Sequence, residues 1–471
     1  MLVWVFVLGC ISTRRLRRGT IALGAMVIKP CAADAHPAEQ GFVLLLPTDL
    51  YIAGGVASVA LTVVILMLLP PEGLSGFFRS RGRLFCLPWR VSTTTSLFGM
   101  ICTVGLVWVG LAGSTDPLRN PLPLAVWTIW WIGLVAIQGL LGDFWSLINP
   151  LIAPMRLGAR AGWRPLLWIP RRLGRTPGIL AFLVLVSFLL ADPTPTDPRR
   201  LAFIVGIYWL VSLVLLGLLG PRWLITGEVV TMLMRAYARA ALFRQGRVGV
   251  LGWQILVRPS PSTGAAVLVL VLLGSGSFDG LNETFWWLAT IGVNPLEFPG
   301  RSAIMLQTIL GLLAMNVGLI VAFGAAVWLG HRLASGGHGW ADAFRVFAPS
   351  ILPIALGYHI GHYLPSFLVN IQYALAAASD PLGRGDDVLG LGVFYVTTGF
   401  FNTQATVRVI WLSQAGAVVV GHVIAILLAH GLAYRHYGDA TRATRSQIPL
   451  ATFMVIYTFF GLWLLASPRG V

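Results

Sequence analysis

The sequence predicts an all-α, polytopic transmembrane helical bundle, on the evidence of its composition and its long apolar runs. Of the 471 residues, 57% are hydrophobic and 11% are charged, whereas about 25% are charged in an ordinary soluble domain. A run of roughly 20 apolar residues can cross the bilayer core as a helix. About ten runs fit, the fourth and sixth being short: 50–69, 94–113, 123–141, 178–192, 201–219, 263–275, 303–329, 346–368, 407–429 and 449–466.

The N-terminal residues have the layout of a secretory signal peptide. Four arginines in 14–18 precede an apolar stretch at 21–28, and Ala33-Asp34-Ala35 stands directly before His36. A basic segment, a short apolar run and a small-x-small site are typical of a cleaved signal. We therefore expect a signal peptide at 1–35 and one membrane domain at 36–471, with both mature termini extracytoplasmic. The alternative is an uncleaved anchor over 1–30.

The distribution of arginine predicts the same orientation. Of the 28 basic residues after residue 35, 21 fall in five loops that an outside start places in the cytoplasm: 70–92, 142–177, 221–262, 330–345 and 430–448. This is the bias that the positive-inside rule expects of short loops. The basic charge thus indicates a multi-pass protein of a bacterial inner membrane, with the lipid bilayer as its partner, and gives no support for nucleic-acid binding.

One of these loops has a second feature. The segment 225–247 is moderately apolar and carries Arg235, Arg239, Arg244 and Arg247. This pattern predicts an amphipathic helix that lies on the anionic inner leaflet.

Histidines within two apolar runs are the first candidate ligands. His359 and His362 are three residues apart in the eighth run, so their Cβ atoms lie about 5–6 Å apart on one helix face. His422 lies inside the ninth run. Ionisable groups in the bilayer core indicate function by default. Neutral imidazoles suit a divalent zinc, copper or iron ion, with His36 as an additional ligand. The alternatives are polar contacts between helices and haem ligation.

Two acids are candidate catalytic residues. Asp380, just beyond the eighth run, and Asp279, beyond the sixth, lie on the predicted outer side. An acid next to a metal ion acts as a general base or orients a ligand. Asp380 also fits ordinary turn chemistry, because Pro and Gly follow it.

Several of these stretches resemble a family of bacterial membrane proteins known as fenitrothion hydrolases, which are organophosphorus hydrolases. The pieces that carry the resemblance are Ala35-His36, Glu39-Gln40-Gly41-Phe42, Gly142-Asp143-Phe144-Trp145, Ile148-Asn149-Pro150, Phe278-Asp279-Gly280, Gly357-Tyr358-His359-Ile360-Gly361-His362-Tyr363 and Ser379-Asp380-Pro381. The resemblance implies a membrane protein that cleaves the aryl ester of an apolar phosphotriester.

The chemistry of that reaction fits the candidate residues. A metal-bound water of lowered pKa attacks phosphorus while the ion polarises the phosphoryl oxygen. On this hypothesis His359, His362 and His422 hold the ion, and Asp380 or Asp279 orients the water, in the outer half of the bilayer. Two other classes stay open: a protein that handles or transports copper or another metal, and a non-catalytic subunit of a membrane complex.

Overall fold

The computed structural model describes residues 46–68, 76–78, 80–83, 93–334 and 339–469. The predicted signal peptide and His36 lie outside these residues.

The described part of the chain is mostly helical. Its helices, numbered α1 to α17 in chain order, are Thr48–Leu68, Thr93–Ala112, Pro121–Leu140, Trp145–Ile148, Ile152–Arg160, Thr176–Ala191, Pro198–Leu219, Trp223–Thr226, Val229–Tyr237, Trp253–Val257, Thr263–Asn282, Phe285–Thr290, Met305–Leu333, Trp340–Phe347, Leu352–Ser379, Gln404–Tyr437 and Ala440–Ala466. The strands are β1 Arg81–Arg83, β2 Phe243–Arg244 and β3 Arg247–Val248, which form one antiparallel sheet in the order β1-β3-β2.

Nine helical segments in the described residues are long and apolar enough to cross a membrane. They are α1, α2, α3, α7 with its continuation to Tyr237, α11, α13, α14 with α15, α16 and α17. The predicted all-α polytopic bundle is thereby confirmed, and the protein is a multi-pass integral membrane protein.

The fourth predicted run, 178–192, is shorter than a full crossing. It corresponds to α6, an apolar helix of 16 residues. At 1.5 Å per residue, α6 is about 24 Å long, against a hydrocarbon core of about 30 Å.

Burial separates the centre of the bundle from its periphery. In the most apolar window of each segment, 78% of α11 and 83% of α14–α15 are buried, against 17% of α1 and 22% of α2. The exposed side chains of α1 and α2 include Leu61, Ile65 and Ile101. These two helices therefore present apolar faces to lipid, while α11 and α15 form the interior.

Glycines allow α15 and α16 to pack backbone against backbone. A Cβ at Gly357 would lie 2.3 Å from the carbonyl oxygen of Ala417, and one at Gly421 would lie 2.5 Å from that of Pro353. Small residues permit this close approach where two helices pack in a membrane.

The loop between α7 and α11 differs from its sequence prediction. Within 225–247 the structure has the short helix α9 and the β2–β3 hairpin. Seven of the nine residues of α9 are buried, while Arg235 is exposed. The prediction of a helix lying on the leaflet surface is therefore wrong. The apolar residues of α9 pack against other helices, and an amphipathic pattern does not distinguish that burial from burial in lipid.

Candidate functional site

A cavity lies among α3, α6, α9, α11 and α15. Its volume is about 30 Å³ when only positions open to the centre of a water molecule are counted, which is room for about two waters. The walls are mostly apolar or aromatic, and α11 and α15 supply a cluster of polar groups. The polar residues of that cluster are Ser275, Asp279, Tyr358, His359, His362 and Tyr363.

Irregular helices build part of the cavity wall. Leu124–Leu134 of α3 is a π-helix, and Trp131 in it lines the cavity. A π-helix is rare, and its single-turn form is frequent at functional sites. The buried nine-residue helix α9 contributes Leu233 and Tyr237. Interrupted helices in a membrane bundle are tolerated where they line a cavity, and they commonly mark binding sites.

Asp279 is the centre of the polar cluster. Its Oδ2 accepts a hydrogen bond from the Tyr363 hydroxyl and lies 3.2 Å from Nε2 of His362. The side chains of Asp279 and His362 are only 12% and 7% exposed. A carboxylate so deeply buried is costly unless it is paired and hydrogen-bonded, and these contacts supply that pairing. They also join α11 to α15.

Arg469 completes the cluster and determines the tautomer of His362. Its Nη2 lies 3.4 Å from Nδ1 of His362. Because a guanidinium has donors and no acceptor, Nδ1 must accept, and the ring proton of the neutral imidazole is on Nε2, which donates to Asp279. Arg469 follows α17, and its segment is held by a β-bridge to Thr284 and by the N–H of Phe285, which donates to the Pro468 carbonyl at 3.0 Å.

Three polar atoms of cavity-lining residues have no hydrogen-bond partner among the described residues. They are the hydroxyl of Tyr358, Nε2 of His359 and Nε1 of Trp131, and all three are buried. The Tyr358 ring stacks on His362 with centroids 5.7 Å apart, and the His359 ring lies 4.9 Å from that of Tyr363. Most buried polar atoms in proteins are hydrogen-bonded. A hydroxyl and an imidazole nitrogen left open in one cavity are therefore a candidate site for a ligand.

His422 lies apart from this cluster and does not line the cavity. Its Nδ1 lies 2.9 Å from the Val418 carbonyl oxygen of its own helix, and it donates there because a carbonyl only accepts. Its ring is 6.4 Å from that of Tyr457. The structure thus brings His359, His362 and Asp279 together, but not the third histidine that the sequence prediction places with them.

In the described residues, no three or more His, Cys, Asp or Glu side chains are grouped so that they could hold a metal ion. His36, the additional predicted ligand, lies outside those residues. Metal binding stays a prediction.

Asp380 is part of a turn beyond the end of α15 and does not line the cavity. Its Oδ1 accepts the N–H of Arg384 at 2.8 Å, and its Oδ2 accepts that of Gly385 at 2.9 Å. Burial alone would raise the pKa of Asp380, but these backbone hydrogen bonds hold it below its ordinary value. The carboxylate is therefore used to close the turn, as the alternative interpretation of its sequence expects.

The sequence prediction assigned no role to Tyr358, Tyr363 or Arg469. The two tyrosines flank the predicted histidines in the same helix, so a helix-face argument extended by one residue would include them. For Arg469 the signal is its position: it is one of the seven basic residues after residue 35 that fall outside the five arginine-rich loops. An arginine outside those loops departs from the positive-inside bias, and the contact of Arg469 with His362 is a local reason for its position.

Comparison with known proteins gives no match: no family model, curated protein or solved structure matches this chain. The resemblance to fenitrothion hydrolases stays a prediction.

Proposed function

We propose that the protein is a membrane-embedded hydrolase that cleaves an apolar phosphotriester in the cavity among α3, α6, α9, α11 and α15. The observation that supports the proposal is that the unpartnered polar atoms of that cavity include the His359 Nε2 and the Tyr358 hydroxyl. One can accept a proton and the other can donate a hydrogen bond, which are the two tasks of ester hydrolysis.

The proposed reaction uses one water. Nε2 of His359 takes a proton from the water as its oxygen forms a bond to phosphorus. The Tyr358 hydroxyl donates to the phosphoryl oxygen, where negative charge develops. The bond from phosphorus to the aryl oxygen breaks, and the aryloxide leaves with the electron pair. It then receives the proton held by His359, so that the products are a phosphodiester and a phenol.

The Asp279 cluster has a supporting role in this proposal. Asp279 carries a negative charge in the same cavity wall and favours the imidazolium that forms on His359. His362 is occupied on both ring nitrogens, by Asp279 and by Arg469. It therefore positions Asp279 and does not itself act as the base.

Substrate enters this cavity from the bilayer. The wall contributed by α6 contains Phe182, Val186 and Leu189, while Leu180 and Val184 on the same helix are exposed at the surface. An apolar phosphotriester dissolves in lipid and reaches that surface. The cavity holds about two waters, so binding requires these side chains to move apart.

The test measures release of nitrophenolate from a dialkyl nitrophenyl phosphate by protein in lipid nanodiscs. We expect His359→Gln to lower kcat/KM by roughly 100-fold or more, the ordinary contribution of a general base. Tyr358→Phe should lower it by a comparable factor, as for an oxyanion donor. The control is His422→Gln, a buried histidine outside the cavity, which should retain turnover. Equal turnover in wild type and all three variants would refute the proposal.

A bound metal ion is a second candidate: the described residues form no group of three protein ligands, but the open Nε2 of His359 and the Asp279–His362 pair lie in one cavity. Elemental analysis of the same preparations separates the two. A stoichiometric metal that is lost in His359→Gln, together with turnover abolished by a chelator, would support metal-assisted hydrolysis. Stoichiometric metal without turnover would instead support a metal-handling protein.

A further inference from the structure

Five arginines converge at the end of the bundle where α9 and α10 end and α6 and α11 begin. They are Arg175, Arg235, Arg239, Arg244 and Arg258, hereafter the arginine cluster. Arg235 is exposed, and the other four are half-buried. None of them forms an ion pair in the described part of the chain.

Backbone contacts bring these separate segments together. Nη2 of Arg239 donates to the carbonyl of Pro259, next to Arg258, at 3.3 Å. A Cβ at Gly264, in the first turn of α11, would lie 3.2 Å from the Cβ of Arg175. The amide of Gln254 donates to the Ala241 carbonyl at 2.9 Å and so holds the β2 segment against α10.

The charge of the cluster is not balanced by nearby acids. Burial, together with the cations of Arg258, Arg175 and Arg244, lowers the pKa of Arg239 to about 10. Asp143 acts on Arg258 in the opposite direction without forming an ion pair. Nε of Arg239 is buried and has no hydrogen-bond partner among the described residues.

We propose that the arginine cluster binds a phosphate group, carried by an anionic phospholipid headgroup or by free phosphate. Guanidinium groups present planar pairs of N–H donors that match phosphate oxygens. An anion bound among them would neutralise half-buried cations that the described residues leave unpaired. The proposal is independent of the hydrolase, because no residue of the cluster lines the cavity of that site.

Calorimetric titration of the full chain in detergent tests the proposal. The probes are short-chain phosphatidylglycerol, phosphatidylcholine of the same chain length, and inorganic phosphate. We expect phosphatidylglycerol or inorganic phosphate to bind and phosphatidylcholine to bind at least tenfold more weakly. Displacement of bound phosphatidylglycerol by inorganic phosphate would identify free phosphate as a ligand, whereas binding of the lipid alone would identify the headgroup. Failure of both anions to bind would overturn the proposal.

Variants show whether the cluster itself is the site. Arg239→Gln with Arg258→Gln should weaken binding by about thirtyfold, the expected effect of two arginines at an anionic lipid. The control is Arg442→Gln with Arg445→Gln, which removes the same charge from two exposed residues of α17. The control pair lies at the same end of the bundle as the arginine cluster. There the C-terminal part of α16 packs against α10, since a Cβ at Gly431 would lie 3.2 Å from the Leu256 side chain. An equal loss in the control pair would mean diffuse attraction and no site.

A second pair of substitutions in the cluster tests whether the loss of binding in the first pair comes only from misfolding. Arg235→Gln with Arg244→Gln changes the exposed member and one half-buried member of the cluster, neither of which donates a hydrogen bond to the Pro259 carbonyl. We expect the same direction and a similar size of effect. Unchanged binding in both cluster pairs, at a thermal midpoint equal to wild type, would overturn the proposal.

Discussion

The two cavity histidines of α15 differ in what their ring nitrogens are free to do. His362 is bonded on both sides, since Nε2 faces Asp279 and Nδ1 faces Arg469. His359 keeps its Nε2 open. Proximity to an acid is therefore a poor guide to the reactive imidazole here. The histidine with the acidic partner holds the cluster together, and the histidine without one is available to a ligand.

Gly280 lies next to this cluster, and one atom of Tyr358 leaves no room for a side chain at its position. A Cβ on Gly280 would lie 1.9 Å from the hydroxyl oxygen of Tyr358, while the next nearest atom, Cζ of the same ring, would be 3.2 Å away. We predict that Gly280→Ala destabilises the protein by about 1–3 kcal/mol, the ordinary cost of overpacking. The measurement is the free energy of unfolding in mixed detergent micelles.

A second substitution separates this clash from a general intolerance of alanine in α11. Tyr358→Phe removes the hydroxyl, so Gly280→Ala should cost less in that background than in wild type. Gly276→Ala on the same helix is the control, since its Cβ would lie 3.7 Å from the Tyr358 ring. If Gly280→Ala is as costly with phenylalanine as with tyrosine, the hydroxyl is not what excludes a side chain.

Helix spacing and local motif were enough to identify His359, His362 and Asp279 as candidates, and the structure places all three in one cavity. The same reasoning could not bring in Arg469, which lies 107 residues after its partner His362. It also grouped His422 with the other two histidines, because sequence shows that a residue is inside a span but not which neighbour its side chain faces. Contacts between distant segments depend on how whole helices pack.

At the scale of elements, α15 and α16 are held by close backbone approach. Gly357, Gly361 and Gly421 stand where a Cβ would come within 2.9 Å of a carbonyl oxygen on the other helix. The Gln414 amide, which donates to the Gly361 carbonyl at 2.8 Å, adds a polar contact. Because α15 carries the cavity histidines and tyrosines, this packing also fixes where the candidate site lies in the bundle.

Alanine at Gly421 should weaken that packing. The substitution gains at most about 1 kcal/mol of helix propensity but places a methyl group 2.5 Å from the Pro353 carbonyl oxygen. Backbone cannot rotate away as a flexible side chain can, so we predict net destabilisation of about 1–3 kcal/mol. Gly416→Ala in the same helix is the matched control, since nothing lies within 4 Å of its Cβ. Thermal midpoints should fall for Gly421→Ala and hold or rise for Gly416→Ala; the reverse order would contradict close packing.

Apolar run length predicted where helices are, but not where they are irregular. The eighth run was expected at 346–368, whereas the segment consists of α14, a 3₁₀ turn at Ala348–Ile351, and α15 continuing to Ser379. The π-helix at Leu124–Leu134 was likewise unforeseen. Both stretches are apolar throughout, and hydropathy is insensitive to which backbone hydrogen bonds an apolar segment makes. Those bonds are set by the neighbours that pack on it.

The whole molecule has two chemically different ends, which α3 connects. In the loop that precedes α3, a Cβ at Gly113 would lie 3.2 Å from the Pro381 carbonyl oxygen. At its other end, the Leu242 N–H donates to the Leu140 carbonyl at 2.9 Å. The Pro381 end contains Asp380, Asp386 and Asp387, while the Leu242 end contains the arginine cluster. Under the positive-inside rule we expect the arginine-rich end to face the cytoplasm.

That orientation predicts which introduced cysteines react from outside the cell. Tyr395, in the loop between α15 and α16, and Leu166, in the loop between α5 and α6, are 82% and 76% exposed. The Leu167 N–H donates to Leu218 near the end of α7, so Leu166 lies at the arginine-rich end. In a chain whose four natural cysteines are replaced, a membrane-impermeant maleimide should label Tyr395→Cys in intact cells and Leu166→Cys only after permeabilisation. Labelling in the opposite order would invert the topology. It would also place the arginine cluster away from the anionic inner leaflet and leave free phosphate as its ligand.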